Sequence, residues 1–463
     1  MKTARLIIAL IITLGLLLHP AAARAQSAEP IYVVQEGDSI YWVAAYFHTS
    51  VNSLMEINPM ADPNKLEAGH LLKIPGFDGI TGQFTRVPLP AGESARTISR
   101  VLDQDWNTLV RLNFLTSPAQ LVSGQAFFRL NTPAPELARL QLVNGLNPLE
   151  LGIYTNTNPW TVSLYNDRPA PHALLANDTL FLPGEPSPAL ASLLPLVTDI
   201  TLAPAELRQG KTQVITAQAA PGTTLSGSML DHTLHFFPNK TSGYTSLQGI
   251  PRLAMPGLTS FLISAAAPDG RVHTQESYAV VEWMDYGYDL PLEVAPEVID
   301  PLITEPEYAL LLDITDEATP DKLWVMKFTA PSPNPEEITS TYGRMRSYNG
   351  SEYVYYHSGL DYRGFNETPI FAPAPGVVVY TGELPVRGNT TIISHGWGVY
   401  TGYWHQSRIE VAVGDTVQTG QTIGYCGDSG RATGPHLHFD LLVGGVEVDP
   451  EDWIYGTYAH VGN

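Results

Sequence analysis

The chain has 463 residues, of which 44% are hydrophobic and 15% charged, with 38 prolines and 39 glycines. Proline plus glycine is 77/463, about 17%, below the ~25–30% typical of low-complexity disorder, and the composition also excludes a collagen and a coiled coil. The formal net charge of −21 excludes nucleic acid as a partner, because an acidic surface repels phosphates and no basic stretch offsets it. A single cysteine, Cys426, excludes a disulfide scaffold, so we expect several turn-rich, mainly β domains.

The amino terminus has the pattern of an export signal. Two basic residues, Lys2 and Arg5, precede the 13-residue apolar run Leu6–Leu18. Ala23-Arg24-Ala25 follows this run as a small-x-small cleavage site. A retained membrane anchor is the alternative, but this run is shorter than the ~20 residues that a spanning helix needs. We therefore predict that residues 1–25 are a signal peptide, that no stable membrane span remains after cleavage, and that the protein is secreted or periplasmic.

Residues 31–76 have the pattern of one small α+β module. Short strands are predicted at its two ends, and Gly37-Asp38-Ser39 forms a turn whose polar side chains can cap a helix beginning near Ile40. A second short helix is predicted from Ser50 to Asn58. The order of elements is therefore strand, helix, helix and strand.

This segment resembles a LysM module. The resemblance rests on Val33, Gly37-Asp38-Ser39, Leu54, Asn58, Leu66, Gly69 and Leu72-Lys73-Ile74-Pro75. It implies binding to polymers of N-acetylglucosamine, including the glycan strands of peptidoglycan. The alternative is a packed spacer without affinity for sugar.

Two further segments, 84–131 and 140–184, look like degenerate copies of this module. Each is predicted to end its second helix near an asparagine, Asn113 or Asn166, as the first module does at Asn58. Whether the degenerate copies bind glycan is left open by the sequence.

Residues 191–288 change character. Short β-branched or alternating runs recur there at roughly 8–12-residue spacing between Pro-Gly and Asp-Gly turns, which predicts a β-sandwich domain. His232 and His235 lie in this region without an acid or a third histidine in a recognisable motif. We interpret both as surface or packing residues.

An acidic segment follows the predicted sandwich. From Asp289 to Asp321 there are ten acidic residues and no basic one. We predict that 289–330 is a solvated acidic connector, partly helical around Glu305–Leu312, without a catalytic role.

Histidine is concentrated in the carboxy-terminal third: five of the 13 histidines lie between 357 and 438, namely His357, His395, His405, His436 and His438. His357 and Asp361 are four residues apart, so on an extended strand both side chains share a face, and His436 and His438 do the same. These pairs can supply three nitrogen and oxygen ligands, and three protein ligands with one open position is the arrangement of catalytic zinc. Manganese, cobalt or nickel could substitute. The alternative is that the histidines merely satisfy a β-core.

From Ile338 to Trp453 the sequence resembles the lysostaphin-type (LytM-like) zinc endopeptidases of bacterial cell walls. The motifs that carry the resemblance are His357-x-x-x-Asp361, Trp404-His405, Gly434-Pro435-His436-Leu437-His438-Phe439, Ala372–Val378, Val413–Val417, Gly420–Gly424 and Asp449-Pro450. The resemblance implies that His357, Asp361 and His438 hold one zinc ion per chain. It implies that His405 and His436 line the site as catalytic residues without being permanent ligands.

The resemblance also implies a mostly antiparallel β-domain, which we place at residues 331–456, with the zinc in a groove between loops. The expected fold class is therefore mainly β and multidomain. It comprises small α+β LysM-type modules, a β-sandwich and a C-terminal antiparallel-β LytM-like peptidase domain.

The chain contains no His-Glu-x-x-His motif, so a glutamate base of that kind is absent. We assign proton acceptance to His405 or His436, with the other stabilising the oxyanion, and the choice between them stays open. Asp440 is a candidate partner for an imidazole, with an exposed strand-end acid as the alternative. His395 is interpreted as structural, and Cys426 as buried and inert.

The leading functional hypothesis is an exported, monomeric zinc endopeptidase that hydrolyses peptide bonds in bacterial peptidoglycan. LysM modules would bind the glycan strands and the C-terminal domain the peptide, which places the protein at the cell wall. One alternative is a catalytically inactive, peptidoglycan-binding activator or scaffold protein. Another is a hydrolase of some other polymer or secreted protein.

Overall fold

The computed structural model of the chain describes residues 30–59, 62, 66–133, 136–142, 148–166, 178–184, 193–240 and 243–462. The predicted signal peptide, 1–25, lies outside these described residues. None of the helices in the described ranges is long and apolar enough to cross a membrane. The chain divides into two compact units. Unit 1 comprises the residues up to Val87 with Ala95–Gln120 and Ala126–Glu136, and unit 2 comprises Pro88–Ser94, Leu121–Gln125 and the chain from Leu137 onward.

Unit 1 contains two strand–helix–helix–strand segments that share one sheet. Their elements are β1 Ile31–Val33, α1 Ile40–Tyr46, α2 Val51–Ile57, β2 Leu71–Lys73, β3 Gln83–Pro88, α3 Ala95–Leu102, α4 Trp106–Leu112 and β4 Ala126–Leu130. The strand order is β2-β1-β3-β4, with β1 antiparallel to β2 and parallel to β3. Ser39 caps α1 by accepting a hydrogen bond from the Trp42 amide, so the predicted helix start at Ile40 is confirmed. Tyr32 and Phe128, one from each segment, lie in the same core.

One set of hydrogen bonds recurs in all three predicted repeats, and we call it the asparagine clip. The Asn58 side-chain amide donates to the Leu54 and Lys73 carbonyls, and its oxygen accepts from the Lys73 amide. Asn113 makes the same three bonds to residues 109 and 128, and Asn166 to residues 162 and 181. Each clip ties the end of a second helix to a closing strand, which explains why asparagine recurs there.

The third repeat begins unit 2. Its elements are β5 Leu137–Gln141, α5 Pro148–Thr155, α6 Pro159–Tyr165 and β6 Thr179–Pro183. β5 and β6 pair antiparallel, and Leu140, Leu151 and Val162 are fully buried between them and the helices.

The next region is a β-sandwich. Its strands are β7 Val197–Ala203, β8 Leu207–Arg208, β9 Thr212–Ala219, β10 Thr224–Met229, β11 His232–His235, β12 Phe237–Pro238, β13 Tyr244–Gly249, β14 Gly257–Ala266 and β15 Val272–Glu282. Among the described residues, one sheet has the order β11-β10-β14-β15-β8 and the other β12-β13-β9-β7. Ile215 from one sheet and Phe261 and Val281 from the other fill the core between them.

The carboxy-terminal region is built on a larger, mainly antiparallel sheet. Its elements are β16 Ile338–Ser340, β17 Met345–Arg346, β18 Tyr355–Tyr356, β19 Leu360–Arg363, β20 Pro369–Phe371, β21 Gly376–Leu384, β22 Gly388–Gly396, β23 Val399–Ile409, β24 Thr416–Val417, β25 Thr422–Cys426, β26 His436–Val443, β27 Val446–Val448 and the short helix Glu451–Ile454. The main strand order is β16-β19-β26-β23-β22-β21-β24. Strand β26 lies near the middle of this sheet. It therefore places His436 and His438, the two histidines of the His-x-His motif, toward the interior of the region.

The sandwich packs directly on this sheet. Trp453 is buried and its indole N–H donates to the Thr212 hydroxyl at 3.0 Å. Phe237 stacks on Trp397 with ring centroids 5.1 Å apart. The Lys211 ammonium forms an ion pair with Asp449 at 2.9 Å. The two regions therefore share buried side chains rather than a linker alone.

The acidic segment after the sandwich is not a solvated connector, so that prediction is wrong. It contains helix α7, Pro301–Thr315, which is longer than the predicted Glu305–Leu312 and buries Leu311 against the carboxy-terminal sheet. Glu307 is buried, and its carboxylate accepts the Arg387 amide at 3.1 Å and the Arg387 guanidinium at 2.9 Å. Glu307 in this segment therefore forms an ion pair with an arginine that lies 80 residues further along the chain. Sequence spacing alone does not reveal such a partner.

Candidate metal centre and active-site cleft

Strand register brings the predicted ligands together. β19 pairs antiparallel with β26, and Asp361 stands directly opposite His438. On the other side of β26, Trp404 of β23 stands opposite the same histidine. His357 precedes β19 and is held by backbone hydrogen bonds with the Gly343–Arg344 turn. Three separate stretches of chain thus converge at one point in the sheet.

Three side-chain atoms meet there, and we call them the donor triad: His357 Nε2, Asp361 Oδ1 and His438 Nδ1. Asp361 Oδ1 lies 2.9 Å from each of the two nitrogens, and the nitrogens are 3.0 Å apart. All three residues are buried, with His357 only 1% exposed. Together they form a group that could hold a metal ion.

The outward nitrogens of both rings have acceptors of their own. His357 Nδ1 donates to the Thr341 carbonyl at 2.9 Å, and His438 Nε2 donates to Asp440 at 2.6 Å. Asp440 also accepts the Trp404 indole N–H at 2.8 Å. In the neutral rings, these bonds leave the inward nitrogens as lone pairs aimed at one another and at the Asp361 carboxylate. Three acceptors crowded together in a buried site require a cation or a proton among them.

The donor triad has the chemistry and the size of a zinc site. Tetrahedral zinc with bonds of about 2.0–2.1 Å places its ligand atoms about 3.3 Å apart, close to the 2.9–3.0 Å observed here. Two imidazoles and one carboxylate, without sulfur, suit zinc among the common metals. Asp440 behind His438 is the carboxylate–histidine arrangement that fixes ring orientation at metal sites, so the predicted imidazole partner role of Asp440 matches its contacts.

The electrostatics of the triad follow from burial and its carboxylates. Burial lowers the pKa of His357. Burial opposes ionisation of Asp361, but the neighbouring His357 and His438 hold its pKa well below the usual range. Burial likewise opposes charge on His438, yet Asp440 and Asp361 raise its pKa to about 9. The centre therefore favours a positive charge between its carboxylates.

His405 and His436 lie beside the triad, with ring centroids 4.9 Å apart. His405 Nδ1 donates to the Ser429 carbonyl at 2.7 Å and His436 Nδ1 to the Gly434 carbonyl at 2.8 Å, so each ring keeps Nε2 free. His436 Nε2 is 3.8 Å from Asp361 Oδ1. Burial, followed by the charges of His436 and His438, lowers the pKa of His405 to about 3. His405 is therefore a neutral acceptor at physiological pH.

The backbone at His405 is unusual. Its φ is +62°, in the left-handed region, and the pairing of β22 with β23 shifts register between Asn389 and Thr391. An irregular residue inside a strand re-aims its side chain. Such strain in a non-glycine residue is typical of functional positions.

The donor triad and both additional histidines line one cleft of about 600 Å³. Two charged groups in the wall of this cleft were not predicted from the sequence. Arg346 donates to Asp361 Oδ2 at 3.3 Å, so it holds the carboxylate oxygen that the triad does not use. Asp289, from the acidic segment, pairs in turn with Arg346 at 3.1 Å and with Arg344. The Arg-x-Arg spacing at 344–346 was the one signal in the sequence that could have indicated Arg346.

Other predicted residues lie away from the cleft. His395 is fully buried and bonds the Pro375 carbonyl and the Thr401 hydroxyl, as expected of a structural histidine. Cys426 is a buried free cysteine, and burial raises the pKa of its thiol to about 11, as expected of an inert residue. His232 and His235 lie on a strand of the sandwich, partly exposed.

Comparison with known proteins assigns the two ends of the chain to families. Residues 355–450 match the family model described as Peptidase family M23, and residues 32–75 match that of the LysM domain. The chain thus contains a metallopeptidase domain of the M23 type and a LysM domain, and both predicted resemblances are confirmed. The mainly β fold class predicted from the sequence is confirmed as well.

Curated relatives share the peptidase region. The peptidoglycan DD-endopeptidase ShyA of Vibrio cholerae serotype O1 is 40% identical over 112 residues, which cover 24% of this chain and 26% of that protein. The DD-carboxypeptidase/endopeptidase Mpg of Neisseria meningitidis serogroup B is 42% identical over 94 residues, 20% of this chain and 22% of that protein. The chain therefore spans about a quarter of the length of these curated relatives.

A solved structure is also similar to part of this chain. The catalytic domain of the antimicrobial peptidase lysostaphin from Staphylococcus simulans is 32% identical. The match covers 22% of this chain and 80% of that one, with a TM-score of 0.21.

Proposed function

We propose that this protein is an exported zinc-dependent endopeptidase that hydrolyses peptide bonds in peptidoglycan. The observation that carries the proposal is the donor triad, whose three atoms lie within 3.0 Å of one another in a cleft of about 600 Å³. The match of residues 355–450 to Peptidase family M23, and the similarity of part of the chain to peptidoglycan DD-endopeptidases, support peptidoglycan as the substrate.

In this proposal His357, Asp361 and His438 hold one zinc ion per chain. When bound, zinc lowers the pKa of water to about 7 and polarises a carbonyl. Asp440 keeps the His438 ring in the tautomer that directs Nδ1 inward, and Arg346 fixes the Asp361 carboxylate. The chain thus contributes the hydrogen bonds that fix the orientation of the three donor-triad side chains.

His405 and His436 supply the remaining acid–base chemistry. Each has its Nδ1 proton committed to a backbone carbonyl, so each offers a free Nε2 to the cleft. One accepts the proton that the attacking water releases and passes it to the leaving amine, and the other, after taking up a proton from solvent, donates a hydrogen bond to the oxyanion. Both assignments are proposals, and which histidine takes which role stays open.

The LysM module at 32–75 would hold the enzyme on glycan strands. Tethering raises the local concentration of peptide at the cleft without any new contact there. A cell-wall location, removal of residues 1–25 and a monomeric state belong to the same proposal. A catalytically inactive scaffold is less well supported, because the described residues keep the complete donor triad and both additional histidines.

The test is digestion of purified sacculi by the full chain lacking residues 1–25. We expect one zinc per chain and release of soluble fragments with new amino termini, both lost with a chelator and restored by zinc. Mass spectrometry of the fragments identifies the bond. His438→Ala is expected to lose zinc and cleavage together, whereas Glu383→Gln, at an exposed strand position, keeps both. A zinc-loaded protein that releases no fragments would refute the proposal.

A further inference from the structure

Arginine is concentrated at the cleft. Residues 331–463 contain six arginines and no lysine, in a chain of net charge −21. Four of the six line the cleft: Arg344, Arg346, Arg387 and Arg431. The same wall contains two aspartates, Asp289 and Asp361. The cleft is thus locally cationic on an otherwise acidic protein, which favours an anionic ligand.

Three of these arginines are already neutralised by carboxylates. Asp289 pairs with Arg344 and Arg346, and Asp361 lies 3.3 Å from Arg346. Arg387 is held by the buried Glu307 at 2.9 Å, with the glutamate side chain only 2% exposed. These guanidinium groups have internal counter-ions, so they act in structure and in positioning.

Arg431 is different. Within the described part of the chain it forms no ion pair: its guanidinium donates to the Val298 carbonyl at 3.1 Å and lies 4.9 Å from the Tyr348 ring centroid. A carbonyl and an aromatic face orient the group but do not cancel its charge. Burial lowers the pKa of Arg431, and the charges of Arg387 and Arg346 act in the same direction against the opposing effects of Tyr348 and Glu307. A half-buried cation without a counter-ion binds an incoming carboxylate with little further desolvation.

The position of Arg431 is fixed relative to that of His405. Its amide donates to the Val386 carbonyl at 2.7 Å. Gly430 has φ +69°, and a Cβ there would lie 2.4 Å from the Gly388 nitrogen, so glycine is required for this close approach. Two residues before Arg431, the Ser429 carbonyl accepts His405 Nδ1. One rigid loop therefore positions both His405 and Arg431.

There is room for a substrate side group at this arginine. A second cavity of about 460 Å³ shares Val386, Arg387 and Arg431 with the main cleft. Of the acids near it, Glu307 is committed to Arg387, and Glu305 on its wall is exposed and makes no ion pair with Arg431 within the described ranges. The guanidinium thus stands at the junction of two spaces, one of which contains the donor triad.

We propose that Arg431 is a specificity-determining residue that binds a free carboxylate of the peptide substrate, so that the cleft selects anionic peptides. The inference rests on the proposed peptidase function and names the substrate class of that same site. The bound carboxylate belongs to a residue close to the scissile bond, because His405 and Arg431 are held by one loop.

The test uses the zinc-loaded full chain lacking residues 1–25 and two synthetic cross-linked peptides of one sequence. In one peptide the side-chain carboxylates next to the scissile bond are free, and in the other they are amidated. We expect wild type to prefer the free acid by about 10–100-fold in kcat/KM, the range of a hydrogen-bonded charge pair. Arg431→Gln removes this preference through a raised KM for the acid, and Arg431→Lys keeps part of it.

Arg408→Gln is the matched control, since Arg408 is exposed, pairs with Glu410 and does not line the cleft. It should leave both peptides unaffected. Equal cleavage of the two peptides by wild type would overturn the inference without any variant, so it stays falsifiable if Arg431→Gln does not fold. Arg431→Gln slowing both peptides equally would also overturn it. Zinc-loaded wild type that cleaves neither peptide nor sacculi would instead refute the proposed function, and the inference with it.

Discussion

The asparagine clip and the donor triad are both buried polar clusters, but they differ in how their hydrogen-bonding capacity is filled. In a clip, an amide donates two bonds and accepts one, and every partner is a backbone group. In the triad, three acceptors face each other within 3.0 Å and the surrounding bonds take up only the outward atoms. A buried cluster whose hydrogen-bonding groups are all paired within the protein stabilises the fold. A buried cluster with unpaired acceptors is suited to binding a ligand.

Breaking the triad should have the largest effect. Asp361→Ala is expected to reduce peptide cleavage to the level of chelated wild type. Zinc at about 100-fold over its Kd should stabilise wild type by about 2.7 kcal/mol, but not the variant. Thermal unfolding with and without zinc measures the difference. Equal stabilisation of both proteins by zinc would show that the metal binds elsewhere.

Breaking a clip should destabilise the fold and leave the chemistry intact. Asn113→Ala removes the side-chain acceptor of the buried Phe128 amide and the side-chain donor of the Phe128 carbonyl, at a cost of about 3 kcal/mol, while the Leu109 carbonyl keeps its backbone donor at residue 113. Hydrogen exchange at the β4 amides reports the loss. Asn113→Asp keeps the acceptor for the Phe128 amide but sets a carboxylate oxygen against the Leu109 and Phe128 carbonyls, so its loss of protection should be at least as large at neutral pH. Impaired zinc binding in Asn113→Ala would contradict the division between the two kinds of cluster.

His395 can be compared with the histidines of the triad, because both of its ring nitrogens are hydrogen-bonded within the protein. Its Nδ1 donates to Pro375 and its Nε2 accepts from Thr401, so a second proton would displace that hydroxyl bond. Burial lowers the pKa of His395 to about 4. Because the folded pKa lies below the ordinary 6.5, stability is lost as pH falls from 6.5 toward 4, by about 2 kcal/mol between pH 7 and pH 5.

Urea unfolding at several pH values tests this. His395→Gln should start from a lower stability at pH 7 and lose less of it on acidification than wild type does. An unchanged pH slope in the variant would assign the acid sensitivity to other groups.

The resemblance to the lysostaphin-type family implied the three residues of the triad, whereas strand spacing predicted only that each pair of neighbours shares a face. His357 with Asp361, and His436 with His438, were expected to share faces, and all four line one cleft. The start of α1 at Ile40 was predictable because its cap is local, with Ser39 three residues before the amide it accepts. Local rules were enough for the helix start, but the triad joins residues 77 and 81 positions apart, which local rules do not bring together.

What the sequence did not predict depends on long-range pairing. The acidic segment was interpreted as solvated because its own composition is charged, but Glu307 meets Arg387 and Asp289 meets Arg346 across long separations in the chain. Arg431 has no motif, and its lack of a counter-ion is a property of everything that surrounds it. A charge's partner, or its absence, is decided by topology.

The burial of Trp453 and Trp397 against the sandwich sets a limit on dissection of this protein. Cutting the chain at residue 331 would strip the indole of Trp453 of Thr212 and the ring of Trp397 of Phe237, and would remove the glutamate that neutralises Arg387. Such a fragment would present freshly uncovered aromatic rings and an unbalanced cation to solvent. The smallest excisable piece that preserves the cleft therefore begins before Val197, and catalytic studies on shorter fragments would measure the damage of excision along with the chemistry.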